Sequence, residues 1–232
     1  MPRSLLTTSF FLFGFVYSAL AQQPAAAPAP PAPERPPLFF KEDFRLETVG
    51  GQPVTQADLY NPNLELKLYG DGPGGTNPDH GIWIFRRAQP KDDPSYIWTG
   101  RCASSCAVAL RDKTNFIDLS GLGKIKWRTM QAGFHMLRPM VKLGDGTWLV
   151  GDHTDGYTAD WHESEITLSE IRWRQLDIKT VLTTGNGKWI EHPDLSKVDE
   201  IGFTDLMRGS GNGAGGTTRV DWIEVYGKPV KR

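Results

Sequence analysis

Beyond residue 37 the chain is a succession of short runs in which apolar and polar residues alternate, broken by Gly, Asn, Asp and Pro. The clearest runs are residues 64–69, 82–86, 107–111, 124–130, 136–143, 147–152, 171–178, 198–204 and 219–226. A period of two predicts β-strands with one buried face. Within 124–130, Ile125 and Trp127 fall on one side and Lys124, Lys126 and Arg128 on the other. Likewise Leu137, Val141 and Leu143 alternate with Arg138 and Lys142. Trp127 and Trp173 are expected in the core. Pro139 has no N–H to give to a ladder, which predicts an edge or bulged strand there. Gly144-Asp145-Gly146 predicts a tight hairpin, because Asp-Gly suits the positive φ of such turns. Helical periodicity is scarce, and residues 54–59 and 168–171 each predict no more than one turn. The pattern predicts an all-β protein, a sandwich or jelly roll, forming a single domain over residues 38–232.

One phrase occurs twice. Asp118-Leu119-Ser120 leads through a polar turn into Lys124-Ile125-Lys126-Trp127, and Asp194-Leu195-Ser196 leads into Val198-Asp199-Glu200-Ile201-Gly202-Phe203. Each reads as a turn, a short apolar anchor and a strand whose Ile and aromatic share a face. These two segments and the closing Arg219-Val220-Asp221-Trp222-Ile223-Glu224-Val225-Tyr226-Gly227 together resemble a galactose-binding-domain-like β-jelly roll, a superfamily that includes many carbohydrate-binding modules. Residues 70–93 match no part of that pattern and read as an inserted loop or added hairpin. The resemblance implies a structural Ca2+ between the first and last strands, with Glu42 or Asp43 and Asp221 at the matching positions. Calcium takes six to eight oxygen ligands, so such acids would be joined by main-chain carbonyls. The alternative is that these acids are solvated strand ends or pair with Lys and Arg.

The N-terminus changes the expected compartment. Met1-Pro2-Arg3, an apolar stretch over residues 5–16 and Ala19-Leu20-Ala21 predict a signal peptide over residues 1–21. The apolar run is shorter than the roughly 20 residues that span a bilayer, so a membrane-spanning helix is not expected. Residues 22–37 are almost all Pro and Ala and predict a semi-rigid linker. Export to the periplasm or the extracellular space follows, where Cys102 and Cys106 are expected to form a disulfide. With 26 Lys and Arg against 27 Asp and Glu, the chain lacks the basic surface of a general nucleic-acid binder.

The candidate chemistry is concentrated in residues 151–163, where Asp152, His153, Asp155, Tyr157, Asp160, Trp161, His162 and Glu163 crowd one loop. Aromatic faces can stack on the C–H face of a sugar while carboxylates and imidazoles hold its hydroxyls. Of the eight Trp, Trp148 and Trp161 are expected to be exposed, and Trp83 and Trp98 are left unassigned. The expected ligand-binding set is Trp148, Asp152, His153, Asp155, Tyr157, Trp161 and Arg138, facing a polysaccharide or cell-surface glycan. Lys124, Lys126, Arg128, Arg138, Lys142, Arg172 and Arg174 would form a basic face suited to uronate or sulfated glycans if their strands are neighbours. Cross-strand pairing with acids is the competing expectation.

Catalytic signatures are weak. Asp199 and Asp205 flank Ile201 and Phe203 where a sandwich hydrolase would carry further acids, and no Gly-x-Ser-x-Gly elbow occurs. The reading is an exported, non-catalytic carbohydrate-binding or surface-associated module. Two alternatives remain: a secreted carbohydrate-active hydrolase using Asp152, Asp155, Asp160 and Glu163, and a structural protein-interaction module.

Overall fold

A computed structural model describes residues 34–88, 95–133, 135–206 and 216–232. The expected signal peptide and nearly all of the linker lie outside them. The strands are β1 Leu38–Asp43, β2 Gly50–Pro53, β3 Leu64–Gly70, β4 Gly81–Arg86, β5 Tyr96–Arg101, β6 Cys106–Asp112, β7 Asn115–Asp118, β8 Lys124–Gly133, β9 Leu137–Leu143, β10 Trp148–Gly151, β11 His162–Thr167, β12 Trp173–Asp177, β13 Leu182–Thr183, β14 Val198–Asp205, β15 Gly216–Tyr226 and β16 Lys228–Lys231. Every run read from the alternation becomes a strand. The two expected helical turns are the short 3-10 segments Gln56–Asp58 and Leu168–Glu170. Among the described residues, no helix is long and apolar enough to cross a membrane.

The strands form two antiparallel sheets. The seven-stranded sheet runs β11-β8-β15-β5-β4-β2, with β1 also on β15. The nine-stranded sheet runs β13-β12-β10-β9-β14-β6-β3, with β7 on β14 and β16 on β7. Period two turns one face of each sheet inward. Ile82, Ile84, Ile97, Ile125, Trp127, Val220, Ile223 and Val225 from the first meet Leu64, Val108, Leu110, Leu137, Val141, Leu149, Trp173, Ile201 and Phe203 from the second in one buried cluster. Trp127 and Trp173 are both fully buried, as the alternation requires.

The repeated phrase has a physical counterpart. Asp118 accepts from the Ser120 amide at 2.9 Å and Asp194 from the Ser196 amide at 2.9 Å, so each forms the same Asp-initiated turn. The following Leu119 and Leu195 are buried, and the Leu119 amide donates to the Leu195 carbonyl at 2.9 Å. The two motifs are thus bonded to each other, and each feeds an interior strand of a different sheet, β8 and β14.

Of the two expectations for β9, an edge or a bulge, the edge is corrected, because the strand lies between β10 and β14; the irregularity is present, since pairing passes from Met140 opposite Val150 to Leu137 opposite Asp155. Pro139 is tolerated because pairing with β10 runs only from Lys142 to Met140, so its missing donor falls just past the end of that ladder. The disulfide between Cys102 and Cys106 is present and bridges the end of β5 to the start of β6.

A second apolar cluster lies on the outer face of the nine-stranded sheet. Ala107, Ala109, Met140, Trp148, Val150, Leu176 and Val181 are its buried members, with Tyr69 packed against them. Tyr69 on β3 and Trp148 on β10 lean toward each other over the small side chains of β6 and meet edge to face at 5.0 Å. The segment between β12 and β13 folds back over this surface. Its Val181 is fully buried at φ 51°, a left-handed conformation that a β-branched residue rarely adopts. A Cβ on Gly70 would stand 2.5 Å from Val181 Cγ2, so Gly70 leaves the room that Val181 occupies.

Candidate functional site

The outer face of the seven-stranded sheet carries a row of aromatic rings. β4 and β5 pair with Trp83 opposite Trp98 and Phe85 opposite Tyr96. Because Ile82, Ile84 and Ile97 occupy the core, these four rings are turned outward together. Phe85 lies against β2 at Gly51, where a Cβ would be 2.2 Å from the ring, and Trp98 lies on Gly100, where a Cβ would be 2.3 Å away. Each of these rings therefore packs where a side chain larger than glycine's would collide with it. Trp83 and Phe85 are 5.9 Å apart and 24° from parallel; Phe85 and Tyr96 are 6.1 Å apart and 19° from parallel. Trp98 meets Phe85 edge-on at 5.0 Å. Trp161, just before β11, extends the row with its centroid 5.7 Å from Tyr96. Tyr96 is buried beneath its neighbours, while Trp83, Phe85, Trp98 and Trp161 stay half-buried. Guanidinium groups flank the row, Arg101 at 3.7 Å over Trp83 and Arg128 at 5.0 Å over Trp161.

A polar notch adjoins the rings. β1 pairs with β15 from Trp222 to Tyr226, and β5 takes the same edge only at Arg219 and Val220, leaving Asp221 at the changeover. There a cavity of about 570 Å³ is lined by Asp43, Arg45, Glu47, Arg86, Ser95 and Asp221. Arg128 donates to Asp221 at 2.6 Å while its guanidinium covers Trp161, so one side chain joins notch to rings. Burial pushes the Asp221 carboxyl up to about 6; Asp43 adds to the rise and Arg128 opposes it.

The expected calcium acids do not assemble. Glu42 turns inward and accepts from the Tyr60 and Asn61 amides at 2.7 and 3.0 Å, while Asp221 is held by Arg128. Only Asp43 and Asp221 share the notch. Among the described residues, no three His, Cys, Asp or Glu side chains group to hold a metal. The donor set does not fit the ion, because two of the three acids are committed to protein donors.

The loop over residues 151–163 is mostly a structural bracket. Asp155 accepts from the indole of core residue Trp127, from Ser164 and from His153, the last at 3.1 Å. Burial works against its charge, but His153, Ser164 and Trp127 hold its carboxyl below the usual range. Asp152 pairs with Arg172 at 2.9 Å, and Asp160 accepts from the Trp161 amide at 2.7 Å. Glu163 sits on β11 opposite Arg128. Asp152, Asp155 and Asp160 thus serve separate partners rather than one reacting centre. Tyr157 stands 70% exposed. Trp148, expected to be an exposed platform, is instead buried, because Tyr69 and Val181 close over it. Arg138 and Asp152 do face one cleft, on the nine-stranded sheet. The condition for a single basic face is not met: Lys124, Lys126 and Arg128 are on β8 of one sheet, whereas Arg138, Lys142 and Arg174 are on the other, beside Arg172. Lys124 and Lys126 both pair with Glu165 at 2.9 Å.

Of the aromatic row, the sequence argument found only Trp161. The signal for the rest was present in Ile82-Trp83-Ile84-Phe85 and Tyr96-Ile97-Trp98-Thr99. Strands that are apolar on both faces, one aliphatic and one aromatic, have an outer surface to explain.

No family model and no curated protein matches this chain. Among solved structures, the family 11 carbohydrate-binding module from Clostridium thermocellum in complex with a β-1,3-1,4-mixed-linked tetrasaccharide is similar over 80% of this chain and 100% of its own, at 16% identity and TM-score 0.43. A family 29 carbohydrate-binding module complexed with cellulohexaose covers 72% of this chain and 94% of its own, at 10% identity and TM-score 0.35. An exo-β-agarase is similar over 76% of this chain but only 24% of its own, at 10% identity and TM-score 0.40. These are likenesses of outline at low superposition; the β-sandwich itself is read from the strand pairings above.

Proposed function

We propose that the protein is an exported, non-catalytic carbohydrate-binding module, and that a polysaccharide or cell-surface glycan lies along the row from Trp83 to Trp161. The carrying observation is the continuity of half-exposed rings with a polar notch through Arg128. Rings take the apolar faces of sugar residues; Asp43, Arg45, Arg86 and Ser95 offer donors and acceptors for hydroxyls. The solved carbohydrate-binding modules of similar outline agree with this reading without carrying it. The expected signal peptide supports export, and the Pro/Ala linker would hold the sandwich away from a wall, a surface or a partner.

Native affinity electrophoresis against a panel of neutral and acidic polysaccharides tests the proposal. At least one polysaccharide should retard the protein, and Trp83→Ala and Trp161→Ala should each weaken binding about tenfold or more, as expected for losing an aromatic anchor. Retardation that survives both substitutions would move the site elsewhere, and no retardation by any polysaccharide would overturn the proposal.

One observation favours a second reading, a hydrolase: Asp221, with its carboxyl raised to about 6, shares a notch with Asp43. A proton donor and a second carboxylate are what glycoside hydrolysis uses. Release of reducing ends by the wild type, lost in Asp221→Asn, would support it. Retardation without release would leave binding alone.

A further inference from the structure

The nine-stranded sheet carries a cleft of a different chemistry on the opposite side of the sandwich. Across its outer face, register places Thr204 beside Arg138 and Val150 beside Arg174, while the Asp152 amide donates to the Arg172 carbonyl at 2.9 Å. Three arginines from β9, β12 and the residue before β12 therefore converge on one opening of about 350 Å³. Val150 and Leu206 contribute apolar surface, and Trp189 forms part of the wall.

The three arginines are unequally matched. Arg172 is balanced by Asp152, which takes both its amide and its Nε at 2.9 Å. Arg138 reaches only the carbonyls of Gly151 and Asp152, at 3.4 and 3.5 Å. Arg174 lies over Trp189 with its guanidinium 3.8 Å from the ring centroid, and among the described residues its buried Nε–H has no acceptor. Among the described residues, no carboxylate pairs with Arg138 or Arg174. Burial and the nearby Arg174 charge disfavour the protonated form of Arg138, and the Asp152 carboxylate, which already pairs with Arg172, opposes them only in part. Nor could the segment after Leu206 supply the missing anion, since residues 207–215 contain no Asp or Glu. Two forked, partly dehydrated cations facing one opening are a receptor for an oxyanion, because a guanidinium matches a carboxylate or sulfate with paired N–H donors. Trp189 also fixes the plane of the Arg174 fork, reducing the freedom lost on binding.

We propose that this cleft binds the anionic group of an acidic sugar, a uronate carboxylate or a sulfate ester, between Arg138 and Arg174. The sugar part of the assignment rests on the glycan-binding reading above; the oxyanion part rests on the cleft alone. The opening is at the small end of the roughly 300–1,000 Å³ range of ligand pockets, which suits one saccharide residue rather than a chain. Leu206 meets its apolar face while the two forks hold its charge. The protein then has two glycan contacts on opposite faces, one by stacking and one by charge.

Calorimetric titration of the protein with galacturonate, galactose 6-sulfate, inorganic sulfate and galactose tests the cleft. One or both acidic sugars should bind more tightly than inorganic sulfate, galactose should give no signal, and affinity should fall as salt is raised. Arg138→Gln and Arg174→Gln should each weaken acidic-sugar binding about tenfold or more, the scale of a hydrogen bond to a charged group. Arg174→Lys, which keeps charge and loses the fork, should weaken it as well. Retardation by a neutral polysaccharide, read on the same variants, should not change. Equal binding of inorganic sulfate and the acidic sugars would overturn the sugar assignment, and no binding of any anion would overturn the cleft altogether. Loss of neutral-polysaccharide binding in Trp83→Ala with acidic-sugar binding intact would leave the cleft standing whatever becomes of the aromatic row.

Discussion

The outer faces of the two sheets use their aromatic residues in opposite ways. On the seven-stranded sheet, Trp83, Phe85, Trp98 and Trp161 remain half-buried, with Arg101 over Trp83 and Arg128 over Trp161. On the nine-stranded sheet, Trp148 is roofed by the chain itself, through Tyr69 and Val181. An aromatic side chain on an outward strand position therefore says nothing by itself about ligand binding. What decides is whether another segment of the chain returns to cover it. The same contrast holds for charge. Lys124, Lys126 and Arg128 are matched by Glu165 and Asp221, whereas Arg138 and Arg174 are left facing a cleft.

The contrast is sharpest for truncation. Trp148→Ala should cost about 3–5 kcal/mol of stability, as for other buried Trp side chains, whereas Trp83→Ala should cost about 1 kcal/mol and show mainly in glycan binding. Urea unfolding measures both, and equal losses would erase the distinction between a roofed and an open face. A smaller effect separates the two faces by pH. Burial opposes the charge of Asp199, but Lys142, Arg232 and Arg111 hold its carboxyl at about 2. Its contribution is present above the unfolded value near 4 and is lost as pH falls toward 2. Asp221 is raised to about 6 instead. Its contribution is present below about 4 and is lost as pH rises through about 6. Unfolding free energies of Asp199→Asn and Asp221→Asn, measured from pH 2.5 to 7 against wild type, should therefore diverge in opposite directions; parallel curves would refute the assignment of the two environments. The smallest effect belongs to Glu165→Gln. Although it unpairs both Lys124 and Lys126, these are exposed pairs, and the loss should stay below about 1 kcal/mol.

The local pattern carried much of the strand inventory, because alternation is a property of neighbouring residues. Lys124 to Arg128 reads as a strand without knowledge of what lies beside it. Which sheet a strand joins is not local: Lys126 and Arg138 look alike in sequence yet stand on opposite sides of the sandwich, and the cross-strand pairs of Lys126 with Glu165 and Lys142 with Glu200 meet the competing expectation. Pro139 signalled an irregular strand but not whether it lay at an edge, since that depends on where β10 stops. Trp148 was taken for a platform because Val181, which helps to bury it, belongs to a turn with little apolar periodicity of its own. The missing calcium acids show the limit of positional resemblance: Glu42 occupies a matching place, but its carboxylate is used by two backbone amides.

The bond between the Leu119 amide and the Leu195 carbonyl has a consequence for how the chain folds. Each Asp-Leu-Ser turn is encoded within a few residues and can form early, but each anchor is complete only against its counterpart on the other sheet. Neither sheet then has a half-built state with its anchor satisfied, and the sandwich is expected to close in one cooperative step whose rate is set by bringing these distant turns together. Duplicated local signals, far apart along the chain, act here as the two ends of one clasp.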